Sequence, residues 1–195
     1  HPDIVVGVVL LQGVYILSIT ALRRRYNFAP TIDKRKIFLF TMGVLFMYIA
    51  LSSPIHHLAD NYLFSAHMVQ HLILLLLVPP LLLSGTPEWM WRPILWYRLT
   101  SHIANWLTRP VQAFAISGLI LALWHLPPFY NATLTSHTLH VIEHIMFILS
   151  AIIMWWPVLS PVVAIPRASY PMQMVYLFLL TLPAGFIGAA ITFSP

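Results

Sequence analysis

Two pairs of histidines are each spaced four residues apart, His67 with His71 and His140 with His144. Residues four apart in an α-helix lie one turn apart on the same face, about 6 Å along the axis. Each pair can therefore present two imidazoles to one ion, or to two stacked ions. His125 lies at the end of another apolar segment, at a similar depth. The spacing predicts a metal site formed by these five histidines.

The available donor atoms leave several transition metals open. Imidazole nitrogen suits copper, zinc, iron and nickel, and a thiolate site is excluded because the sequence contains no cysteine. Met68 and Met146 flank the two pairs and could add thioether sulfur for Cu(I); a lipid-facing or packing role is the alternative for both. Glu143 and Gln70 stand between paired histidines, so we predict that they support and orient the ligands.

Three other histidines are candidates for an additional metal site or for access to the main one. His137 precedes the second pair by three residues and shares its stripe, and His56 and His57 lie in the loop before the first pair. The alternative is that a single histidine near a membrane surface is an interfacial polar residue that bonds to water or a carbonyl. We expect that role for His102, and it is also open for His1.

The composition identifies the elements that must position these residues. Of 195 residues, 59% are hydrophobic and only 8% are charged, whereas a soluble domain carries about 25% charged residues. A helix that crosses the hydrocarbon core needs roughly 20 apolar residues. The predicted fold is therefore all-α, a polytopic transmembrane helical bundle that forms one domain over residues 1–195. We predict six spans, near residues 4–22, 37–54, 64–84, 110–127, 138–157 and 170–193.

The basic residues predict the orientation of the bundle. All ten lie in the loops between spans 1 and 2, 3 and 4, and 5 and 6. Because these loops share one side, the positive-inside rule places them inside and the N-terminus outside. No small-residue cleavage site follows the first span, which argues against a cleaved signal peptide. Residues 87–107, rich in tryptophan, are predicted to form an interfacial helix.

The net charge of +5 therefore marks the inner face of the membrane and predicts contact with anionic lipid, not with nucleic acid. Nearly all of the histidines lie toward the opposite, outer ends of the helices. We expect a multi-pass protein with its histidine-rich face outside.

Several motifs occur in a specific order along most of the chain. They are Leu51-Ser-Ser-Pro54, the segment LFSAHMVQHL at 63–72, Pro79-Pro80 with Gly85 and Pro87, WHLP at 124–127, HVIEH at 140–144 and Trp155-Trp-Pro157. With these motifs the chain resembles the CtaG family of assembly factors for caa-type cytochrome c oxidase. The resemblance implies a non-enzymatic protein, an assembly factor or an associated subunit, that aids maturation of the oxidase metal centres by delivering copper. It also implies oxidase subunits as partners and, in many members, a seventh span.

Three other functions remain open from the residues. A b-type haem protein could use His71 and His144 as facing axial ligands. A membrane metallohydrolase could use Glu143 as general base, since HVIEH matches the inverted zinc motif HxxEH. A structural oxidase subunit would need no metal.

Overall fold

The computed structural model describes residues 2–52 and 64–193, and every regular element in these two ranges is helical. The predicted all-α class is confirmed. The helices are α1 (Pro2–Leu17), continued by a π-helical turn at Ser18–Leu22 and by Arg23–Arg25, α2 (Lys34–Ser52), α3 (Phe64–Leu72), continued by a π-helical turn at Ile73–Leu77, α4 (Val78–Gly85), a 3-10 turn at Glu88–Met90, α5 (Arg92–Leu95), α6 (Arg98–Leu107), α7 (Pro110–His125), α8 (Pro127–Thr135), α9 (His137–Leu159) and α10 (Tyr170–Thr192).

Five stretches of the described chain are long and apolar enough to cross a membrane. They are Ile4–Arg25, Lys34–Ser52, Ser65–Gly85, His137–Leu159 and Tyr170–Ala190. Helix α7 has only 16 residues, a length of about 24 Å at 1.5 Å per residue, which is shorter than the hydrocarbon core. It meets α6 at a bend of 75°. Residues 2–52 and 64–193 thus contain five candidate spans, or six if α6 and α7 form one bent span.

Contacts between pairs of helices hold the site together. Helix α1 contacts α2, α2 contacts α4, and α4 contacts α9. Helix α9 also contacts α7, which in turn contacts α10. The first turns of α3 and α9 and the last turn of α7 meet at one end of the bundle, called here the histidine end. The loop after α1 and the start of α2 carry basic residues and lie at the opposite end.

A tight contact joins α1, α2 and α4 near the basic end. The Tyr15 ring stacks on Phe40 with ring centroids 3.8 Å apart, and its hydroxyl donates to the carbonyl of Gly85 over 2.9 Å. A Cβ atom at Gly85 would lie only 2.4 Å from the backbone nitrogen of Phe40. At this point α2 and α4 therefore approach each other so closely that only glycine fits at position 85.

Two consecutive prolines explain a π-helical turn in the third span. Pro79 has no N–H, so it cannot donate to the carbonyl four residues earlier, that of Leu75. The turn at Ile73–Leu77 rearranges the ladder just before the proline pair, and the Trp155 indole donates to the Leu75 carbonyl over 2.8 Å. The span continues to Gly85 because α9 supplies the missing donor.

Residues 87–107 are not one helix, which corrects the expectation from the sequence. Pro93 lies in the first turn of the short α5, and the extended backbone of Tyr97 separates α5 from α6. Trp89 is buried and stacks on Phe28 with centroids 5.4 Å apart, whereas Trp96 is 82% exposed. The tryptophans thus divide between the protein core and the surface because proline and the extended residue break the helix. The location of this segment at the inner leaflet stays a prediction.

Candidate metal centre

The two histidine pairs face each other across the first turns of α3 and α9. Ring centroids lie 4.2 Å apart for His67 and His71 and 4.3 Å apart for His140 and His144. Across the interface, His67 lies 5.8 Å from His140, and His71 lies 5.7 Å from His144. The four imidazoles therefore form one compact group, called here the histidine centre.

His125, at the end of α7, joins this centre from a third helix. Its ring centroid lies 6.2 Å from that of His71. Its Nδ1 lies 2.7 Å from the carbonyl oxygen of Leu121, which can only accept, so Nδ1 carries the proton. The Nε2 lone pair is then available to a cation, and a backbone carbonyl on the other nitrogen is the usual support for a metal-binding histidine.

Glu143 lies among the candidate ligands instead of behind them. It is 1% exposed, and its Oε1 is 4.0 Å from Nε2 of His71. His67, His71 and Glu143 each offer a ligand atom, and these atoms all lie within 4.8 Å of one another. The sequence predicts a supporting role for Glu143, and the geometry makes it a candidate ligand as well.

Gln70 is fully buried beside the second pair. Its side-chain nitrogen lies 3.3 Å from Nε2 of His144, so the amide donates to that ring. This hydrogen bond fixes the orientation of His144. Because this bond occupies the Nε2 lone pair of His144, the supporting role of Gln70 stays a prediction.

The polar atoms of the centre fit a bound cation. His71 is 4% exposed, yet neither of its ring nitrogens has a hydrogen-bond partner in the part of the chain that the structure describes. Oε2 of Glu143 likewise has none there. A buried polar group without a partner costs about 1–3 kcal/mol, and ionisable groups in membrane helices are usually functional. Imidazole nitrogens with one carboxylate oxygen suit a divalent or monovalent transition-metal ion.

A cavity of about 510 Å³ adjoins the centre between the third span, α7, α9 and α10. Met68, His71 and His125 line its histidine end, and most of the remaining wall is apolar. Met68 shares this cavity wall with both histidines, and its role as a thioether ligand stays a prediction. Met146 is only two residues beyond His144, which turns it about 200° away on the helix. It is three residues beyond Glu143, about 60° away on the helix, so a ligand role for Met146 stays a prediction.

The remaining histidines are not among the four imidazoles of the centre, or they lie outside the described residues. His137 is exposed in the first turn of α9. His102 is on α6, with its Nδ1 2.8 Å from the Arg98 carbonyl, as expected for an interfacial residue. His1, His56 and His57 lie outside the described residues.

Tyr130, on the short helix α8, is a residue of the site that the histidine spacing does not indicate. Its ring meets His67 edge-on, with centroids 6.0 Å apart. Burial raises the pKa of the Tyr130 phenol, and the nearby Glu143 carboxylate adds to this, so the phenol stays neutral. The Leu126-Pro127-Pro128 sequence could have signalled α8, because proline is favoured in the first turn of a helix.

The fold and the site define a polytopic helical membrane protein with a buried histidine–carboxylate cluster at one end of its bundle. The family model for the cytochrome c oxidase caa3 assembly factor matches residues 13–195, and the chain belongs to this family. The family resemblance seen in the motifs is thereby confirmed.

Two curated relatives are uncharacterized proteins of Mycobacterium bovis and Mycobacterium tuberculosis. Each is 24% identical over 200 residues, a match that covers 95% of this chain and 30% of the relative. The chain thus spans about a third of the length of these relatives. No solved structure matches the chain significantly.

Proposed function

We propose that this protein binds copper at the histidine centre as cargo and supplies it to a cytochrome c oxidase during assembly, without catalysing a reaction. The proposal rests on the surroundings of His71. It is buried, both of its ring nitrogens lack hydrogen-bond partners in the described residues, and the other four candidate imidazoles and a carboxylate surround it. An interior of this kind is costly in a membrane unless something binds there.

The composition of the centre suits a transferable ion. Imidazole is a good ligand for copper, and affinity for divalent ions peaks at copper in the first transition row. One carboxylate from Glu143 would balance the charge of Cu(I), which lowers the cost of holding an ion in a low-dielectric interior. Rings separated by 4.2–5.8 Å allow one Cu–N bond to form as another breaks, with no change in oxidation state.

The test is a comparison of copper content. We expect the purified wild-type protein to retain copper and a variant with His67, His71, His140 and His144 all changed to Ala to lose nearly all of it. His102→Ala is the matched control, since that histidine lies on α6 and bonds to its own helix. In cells, the fourfold variant should leave the oxidase deficient in copper. Equal copper in the fourfold variant and the wild type would contradict the assignment.

We also propose that the histidine end lies on the outer side of the cytoplasmic membrane, because the basic loops lie at the opposite end. Because the chain has no native cysteine, single substitutions can be labelled without background. Thr138→Cys, at the exposed start of α9, should react with an impermeant maleimide in intact spheroplasts. Tyr26→Cys, in the basic loop and 59% exposed in the wild type, should react only after permeabilisation. The reverse pattern of labelling would show that the histidine end lies on the inner side of the membrane.

A further inference from the structure

A second cavity, of about 270 Å³, lies at the histidine end between α1, α2 and α9. Helix α9 contributes residues that recur every three to four positions, which is one continuous face of the helix. The lining residues are Ile4, Gly7 and Val8 of α1, Met47 and Leu51 of α2, and His137, His140, Val141, His144, Ile145 and Ile148 of α9. This cavity is on the other side of α9's histidines from the 510 Å³ cavity, whose wall includes His71 and His125.

The three histidines of this cavity form a gradient of burial. His137 is exposed, His140 is half-buried and His144 is buried. The rings of His140 and His144 are 4.3 Å apart, and each lies within 5.8 Å of a ring of the first pair. A continuous series of imidazoles therefore leads from the surface at His137 to the buried centre.

We propose that copper reaches the centre through this cavity, with His137 as the transient ligand that passes the ion to His140 of the centre. The inference rests on the proposed function, because it gives the route by which the cargo arrives. Each step is a ligand exchange in which a Cu–N bond to the next imidazole forms while the previous one breaks. No electron is transferred, and the metal is the only reactant.

The other described walls of the cavity are apolar, which makes the imidazoles necessary for the route. An unliganded ion would be poorly solvated against valine, leucine and isoleucine side chains. Histidines one turn apart remove the need for the ion to cross an unliganded gap. Met47, which is 7% exposed and lines the same cavity, places a thioether sulfur beside the path.

Gly7 allows the route to be blocked without disturbing the centre. A Cβ atom at Gly7 would meet nothing within 4 Å, so a phenylalanine can extend into the cavity. Gly13 is the matched control, because it lies on the same helix and also has nothing within 4 Å of a Cβ, but it does not line the cavity. We expect Gly7→Phe to slow Cu(I) uptake about tenfold, a barrier increase of about 1.4 kcal/mol, and Gly13→Phe to leave the rate unchanged.

The experiment is stopped-flow transfer of Cu(I) from a chromophoric chelator to the apoprotein in detergent, followed by measurement of the final copper content. His137→Ala should slow uptake by a similar factor with the final content unchanged, because His137 is on the path but not in the centre. Unchanged rates in Gly7→Phe and His137→Ala would overturn the proposed route. If Gly7→Phe also lowers the final copper content, the His137→Ala variant decides alone. An unchanged rate of copper uptake in that variant then overturns the proposed route. A wild-type protein that takes up no copper would refute the proposed function instead.

Discussion

Replacing His71 by alanine is expected to weaken copper binding more than replacing His140, although both residues belong to the histidine centre. Ligand atoms of His71, His67 and Glu143 lie within 4.8 Å of one another, and His71 is also next to the rings of His125 and His144. We expect the affinity for Cu(I) to fall at least about 100-fold in His71→Ala, equivalent to about 2.7 kcal/mol. The measurement is a competition titration against a Cu(I) chelator.

The paired variants also distinguish one shared ion from two stacked ions. If the two histidine pairs hold separate ions, His71→Ala and His140→Ala will each lose about half of the copper. If one ion is held mainly by the first pair with Glu143, only His71→Ala will lose it, and His140→Ala will show slower uptake. Full retention of copper by His71→Ala would contradict the centre described here.

Replacing Gly85 by alanine is expected to destabilise the protein more than any other glycine-to-alanine change in the described chain. The added Cβ would lie 2.4 Å from the Phe40 nitrogen and 2.7 Å from its Cα, and backbone atoms cannot move aside as a side chain can. Separation of α2 from α4 would also weaken the hydrogen bond from Tyr15 to the Gly85 carbonyl. Overpacking typically costs about 1–3 kcal/mol, and a clash with backbone places this variant at or above the upper limit.

The expected result is a large fall in Tm, or in folded yield, measured in detergent. Gly13→Ala should match the wild type, since its Cβ meets nothing within 4 Å. Gly43→Ala should be intermediate, because the nearest atom, at 3.0 Å, belongs to the flexible side chain of Leu82. A Gly85→Ala protein as stable as Gly13→Ala would show that α2 and α4 do not pack as described.

Sequence periodicity and hydropathy predicted the long helices within a few residues, because lipid requires a continuous apolar stretch of a fixed length. The bends and breaks within the helices are harder to predict from the sequence. Helix α7 is too short to span alone, and its 75° bend with α6 depends on how both helices pack. The third span passes Pro79 as a helix only because Trp155, 80 positions away from Leu75 in the sequence, donates to the exposed carbonyl.

For the candidate metal centre, the sequence by itself determined which histidines share a helical face, since residues four apart always lie one turn apart. It also determined the family, through motifs that the match over residues 13–195 confirms. Only the tertiary structure decided that the two pairs face each other, that Glu143 lies among the ligand atoms, and that Tyr130 contacts His67. The physical reason is that spacing along one helix fixes directions within that helix, whereas the distance between side chains on different helices depends on how the whole bundle packs.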